Sequence, residues 1–108
     1  MAKPITVMSY NLHGLNQGES LLRELCCKSQ PEVIFVQEHW LSSVNLCKLR
    51  SFSDNYICLA SSGMEHIIDK SILHGRPFGG VAILFHKNIS DHVKCIAAFD
   101  RYIIAKIS

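Results

Sequence analysis

A chain of 108 residues, 48% of them hydrophobic, has the size and apolar content of one core-forming domain. Eleven Lys and Arg against nine Asp and Glu leave a formal charge of +2, too mild to mark a nucleic-acid binder by its field and too mild to exclude one. The opening residues MAKPITVMSYNLHG lack the apolar core of a secretory signal, and no run reaches the roughly 20 apolar residues that cross a bilayer.

These features lead to the expectation of a nuclear or cytoplasmic protein with no membrane partner. Five cysteines, Cys26, Cys27, Cys47, Cys58 and Cys95, form an odd set without a C-x-x-C pair and read as free thiols. The six histidines show none of the tight ligand spacing of a structural zinc site. No linker, repeat or low-complexity stretch divides the chain.

Ile5 to Tyr10 mixes β-branched and aromatic residues between Pro4 and the polar Asn11-Leu12-His13-Gly14, which predicts a first strand. From Glu19 to Lys28 the apolar residues Leu21, Leu22, Leu25 and Cys26 recur at helical spacing, and Pro31 stops the helix. Val33-Ile34-Phe35-Val36 is a continuous apolar run, the pattern of a strand buried on both faces. Strand, helix and strand make a βαβ unit with the two strands parallel.

A short helix is expected from Ser43 to Leu49 and a strand from Tyr56 to Ala60, followed by a polar surface loop from Ser61 to Gly80. Val81 to His86, Val93 to Ala97 and Tyr102 to Ile107 read as three further strands, with short turns such as Lys87-Asn88 and Asp100-Arg101 between them. Close spacing suits an antiparallel meander. The expectation is an α/β (α+β) chain: one mixed sheet, helices on one face, and a second face still seeking a partner.

Parallel strands of a βαβ unit bring their carboxyl ends to one sheet edge, where open α/β folds place their sites. Asn11 and Glu38 both fall at that edge, an amide beside a carboxylate. A magnesium ion suits such sparse oxygen ligation, since water and phosphate fill its other positions. The plainer alternative remains open at this point: asparagine is a common turn residue after a strand, and Glu38 reads equally as a solvated charge.

The segment ITVMSYNLHGLN resembles the opening strand of the endonuclease/exonuclease/phosphatase superfamily. VIFVQEHWL resembles its second strand with the Q-E pair, and GRPFGGVAILFHK is similar to a later stretch. The His-Trp-Leu and GRPFGG stretches look most like the endonuclease domains of non-LTR retrotransposons. The resemblance implies that Glu38 binds Mg2+ or Mn2+, with Asn11 as a second member of that metal and catalytic set, and that DNA is the substrate. His13 stands where many relatives carry asparagine or aspartate, and it is a candidate phosphate donor. Arg76 could meet the nucleic-acid backbone, since a guanidinium fork matches phosphate geometry, although a solvated loop arginine is the commoner reading. Trp40 and Tyr10 could stack on bases or pack into the core, and Gly79 and Gly80 are expected to shape the start of a strand.

The same resemblance implies that residues 1–108 are the N-terminal part of the family's four-layer α/β/β/α sandwich. The Asp-x-Asn strand and closing Ser-Asp-His of its second half are not found in this sequence. Ser90-Asp91-His92 precedes a strand and reads as coincidence. The expected function is that of a fragment of a metal-dependent phosphodiesterase that nicks DNA, inactive by itself and needing either the other half of its domain or a partner over the bare sheet. The alternatives are a non-catalytic remnant that binds nucleic acid or protein, and a phosphatase of inositol lipids or other small phosphate esters.

Overall fold

The computed structural model describes residues 4–64, 68–69, 72–73 and 78–108. Strand β1 (Val7–Asn11) turns Met8 and Tyr10 toward one core and leaves Val7, Ser9 and Asn11 on its other face, the alternation that a period of two imposes. Helix α1 (Leu15–Ser29) follows, burying Leu15, Gly18, Leu22 and Cys26 along one stripe. It begins before the predicted Glu19 because Gly18 is a packing residue: a Cβ there would run into the backbone and side chain of Leu12. Leu21, expected on the stripe, is exposed. The helix closes at Gln30 in the left-handed conformation (φ 44°), whose N–H donates to the Cys26 carbonyl, and Pro31 prevents continuation.

Strand β2 (Val33–Gln37) pairs parallel with β1 from Val7–Val33 to Asn11–Gln37. The expected second helix is split into a 3-10 turn, Ser43–Asn45, and a single α turn, α2 (Cys47–Arg50). This segment buries Leu46, Leu49 and Phe52. Strand β3 (Tyr56–Ser61) follows, and Ile68–Asp69 pairs with Ile72–Leu73 as a minimal ladder, β4 with β5, within the stretch expected to be a plain loop. Strand β6 (Val81–His86) inserts between β2 and β3, antiparallel to both, so the main sheet runs β1-β2-β6-β3.

Alternation along these four strands separates two cores. Ile34, Val36, Ala82, Leu84 and Tyr56 meet Leu22, Cys26 and Leu49 on the helical side. Tyr56 also donates from its hydroxyl to the Pro31 carbonyl at 2.6 Å. On the other side Val33, Ile83 and Phe85 form a second cluster with Ile89.

Strands β7 (Val93–Phe99) and β8 (Tyr102–Ile107) correct the expected meander. They form their own antiparallel two-stranded sheet, and Val93, Ile103 and Ala105 pack onto the second cluster. The connection that the sequence marked as a Lys87-Asn88 turn is a 3-10 segment, Lys87–His92. Its Ile89 is buried in the second cluster, so the chain leaves the plane of the first sheet before β7 begins. The second face is therefore covered in part. Val7 and Phe35 stay 51% and 42% exposed on it, and an apolar cleft of about 240 Å³ lies between Phe35 and Ile104.

Candidate functional site

Parallel pairing sets Asn11 against Gln37, and the backbone beyond that pair is knitted from three segments. Leu12 N–H donates to the Gln37 carbonyl at 2.9 Å, Gly14 N–H to Glu38 at 2.8 Å, and Leu15 N–H to His39 at 3.1 Å. From the opposite side Glu38 N–H donates to the Gly80 carbonyl at 2.8 Å and Trp40 N–H to Gly79 at 3.0 Å. Such dense pairing holds His13, Glu38 and Trp40 at φ values of 51°, 57° and 59°, where L-residues are strained by about 1–2 kcal/mol each.

The side chains converge on that frame. Asn11 Nδ2 donates to Glu38 Oε2 at 2.5 Å, and Asn11 Oδ1 accepts the His13 N–H at 3.0 Å. The amide is thus held at both ends and fixes the carboxylate in turn. His13 is exposed, its ring edge-on to Trp40 at 4.7 Å between centroids. Trp40 covers Gly14, leaving no room for a Cβ there. Among the described residues Glu38 has no basic ion-pair partner.

Sequence reasoning missed His39. Its ring is fully buried, its Nδ1 accepts the Leu41 N–H at 2.9 Å, and its Nε2 lies 2.8 Å from the Ser61 carbonyl. With Nδ1 occupied as acceptor, Nε2 carries the proton and donates. Burial drives the pKa of His39 below the ordinary imidazole value, against the opposing pull of the neighbouring backbone, that of Ser61 foremost, so the ring is neutral. Gly80 (φ 91°) packs directly on this imidazole, where a Cβ would overlap it. Gly79 and Gly80 accordingly serve backbone shape, as expected. The signal for His39 was available only in the pair: a glycine is needed wherever a ring presses on the backbone.

Of the other named residues, Tyr10 belongs to the core, its hydroxyl donating to the Gly18 carbonyl at 3.3 Å. Arg76 lies outside the described residues. Ser90-Asp91-His92 follows the far end of β6, because β6 runs antiparallel to β2 and places Phe85 beside Val33 rather than beside Gln37. That triplet is remote from Glu38.

Beside Glu38 opens a cleft of about 340 Å³ whose walls include Gln37, Gly63, Gly79, Gly80, Asp100 and Arg101. The described residues contain no cluster of three or more His, Cys, Asp or Glu able to hold a metal. One carboxylate backed by an amide is a donor set for a hard, water-rich cation and not for zinc.

A mixed sheet with helices on one face and a two-stranded sheet on the other gives this chain a partial DNase I-like fold. No protein-family model and no curated protein matches the sequence. Several solved structures share the fold. The 3′ phosphatase NExo from Neisseria, bound to a product DNA hairpin, superposes with a TM-score of 0.63 at 18% identity over 97% of this chain. An AP endonuclease from Leishmania major gives 0.60 at 17% identity over 84%. NExo from Neisseria meningitidis, a 3′-5′ exonuclease, gives 0.56 at 19% over 96%. The chain spans 38%, 27% and 37% of those proteins respectively. Over this length the chain shares the fold of those three proteins.

Proposed function

We propose that this chain is the metal-binding portion of a divalent-metal-dependent phosphodiesterase that nicks DNA. The observation carrying the proposal is the Glu38 carboxylate at the carboxyl end of β2, locked by Asn11 and without a cationic partner among the described residues. Glu38, with Asn11, would hold Mg2+ or Mn2+. A cation bound there supplies stabilisation of the negative charge that develops on phosphoryl oxygens as water attacks the phosphorus. Asn11 holds the carboxylate in one rotamer, so no reorganisation is needed at the moment of reaction. His13, exposed and edge-on to Trp40, would donate to a substrate phosphate.

DNA as substrate is supported by the DNA hairpin bound to the Neisseria phosphatase and by the His-Trp-Leu and GRPFGG segments, which also favour the retrotransposon branch. The remainder of the active site belongs, in this reading, to the other half of the sandwich. The chain alone then binds metal without cleaving.

Electron paramagnetic resonance titration with Mn2+ tests the site directly: Glu38→Gln is expected to weaken uptake at least roughly tenfold, as loss of a charged ligand does. Wild-type uptake by that variant would sink the assignment. In a polypeptide that joins this chain to the remaining sheet, supercoiled plasmid is expected to be nicked in Mg2+ and soluble phosphomonoesters spared. The reverse selectivity transfers the reading to small phosphate esters.

A further inference from the structure

The tip of the β7–β8 hairpin lies far from Glu38 in sequence, yet its turn residues Asp100 and Arg101 line the same cleft as the carboxylate. The turn is anchored there. Ser61 Oγ donates to the Phe99 carbonyl at 2.6 Å, and the turn passes beside Gly63, where a Cβ would rest in ordinary contact with the Asp100 carbonyl at 3.5 Å. Arg101 is exposed and has no ion-pair partner among the described residues.

Immediately flanking the turn, Phe99 and Tyr102 are cross-strand partners whose rings stack at 5.8 Å with 17° between planes. They remain 65% and 48% exposed, while the hairpin anchors itself through Val93, Ile103 and Ala105. The aromatic pair thus stands at the solvent-facing tip of the hairpin, beside the cleft that Arg101 lines. A guanidinium beside two exposed rings is the combination that grips a nucleic-acid strand, the charge on a phosphate and the rings against a base.

We infer that the segment Phe99–Tyr102 is a single-strand contact element, in which Arg101 binds a phosphate neighbouring the one at Glu38 and the Phe99–Tyr102 pair stacks on an adjacent base. The inference builds on the metal reading of Glu38. Without a divalent cation Asp100 and Glu38 make the cleft anionic, so affinity for the strand rises when Mn2+ is added.

Fluorescence anisotropy of a labelled single-stranded oligonucleotide against the full chain in Mn2+ tests it. Arg101→Gln is expected to raise Kd roughly tenfold and to lower the salt slope by about one, and Phe99→Leu to raise Kd by a similar factor through lost stacking. Both side chains are exposed, so circular dichroism and thermal unfolding should match wild type. Binding by Arg101→Gln within twofold of wild type overturns the inference, as does absence of strand binding by the wild-type chain at low salt. Mn2+ uptake measured on the same Arg101→Gln sample is expected to stay at the wild-type level. The Glu38 assignment stands or falls on Glu38→Gln alone, so the two ideas fail separately.

Discussion

Replacing Gly80 by alanine probes how the site edge is supported. At φ 91° an alanine meets a left-handed-side penalty of about 1–2 kcal/mol, and its Cβ would overlap the buried His39 ring. Overpacking of that kind costs a further ~1–3 kcal/mol. The sum, about 2–5 kcal/mol, is a large part of the ~5–15 kcal/mol that holds a domain folded. Gly79→Ala is the matched control. It shares the positive φ, at 65°, but the nearest atom to its Cβ is Gly63 Cα at 4.0 Å, so it should cost only about 1–2 kcal/mol of backbone strain. Urea unfolding followed by the fluorescence of Trp40, the one tryptophan, reads both from beside the site. Equal midpoint shifts for the two variants would refute the packing of Gly80 on His39 as the source of the difference.

His39 makes stability pH-dependent. Its folded pKa is depressed by burial, so between that value and the ordinary ~6.5 the unfolded chain binds a proton that the folded chain refuses. Stability is complete above about pH 6.5 and declines as pH falls through the window beneath it, by at most roughly 1.4 kcal/mol per pH unit from this group. Urea midpoints at pH 7.5 and 5.5 measure this, and unchanged midpoints would contradict a neutral buried ring. Burial also pushes the Cys58 thiol up to about 12 and, with help from neighbouring Cys27, the Cys26 thiol up to about 11. Because the thiolate is the reactive form, iodoacetamide at pH 8 should label exposed Cys27, Cys47 and Cys95 before either of them. Peptide mapping that finds Cys58 alkylated in native protein as fast as Cys95 would count against this packing.

Much of the fold was legible because its strands are short and their patterns local. Val81–His86 and Tyr102–Ile107 have the predicted bounds, and the Asn11–Glu38 meeting followed from parallel pairing of two strands joined by a helix. Gly18 concealed the first turn of α1, since glycine disfavours a helix interior and only Leu12, brought over by the preceding loop, explains it. Alternation in β7 and β8 announced strands but not their partner. One buried face looks the same whether a strand extends a sheet or lies across it, and Ile89, sunk in the second cluster, decides for the second. The Asp100-Arg101 tip was visible as a turn alone, because its place beside Glu38 depends on how two sheets stack. Arg76, outside the described residues, stays a proposal for the DNA backbone.

The insertion of β6 between β2 and β3 has a consequence for the nascent chain. Until Val81–His86 leaves the ribosome, the apolar strand Val33–Gln37 has an unpaired edge, and so has Tyr56–Ser61. At roughly 5–20 residues per second of synthesis, those edges stay open on the order of seconds, long enough to pair with another chain. Crowded polysomes are thus a setting in which these edges meet partners of the wrong chain, and shielding the β2 edge over that interval is expected to raise the yield of folded protein.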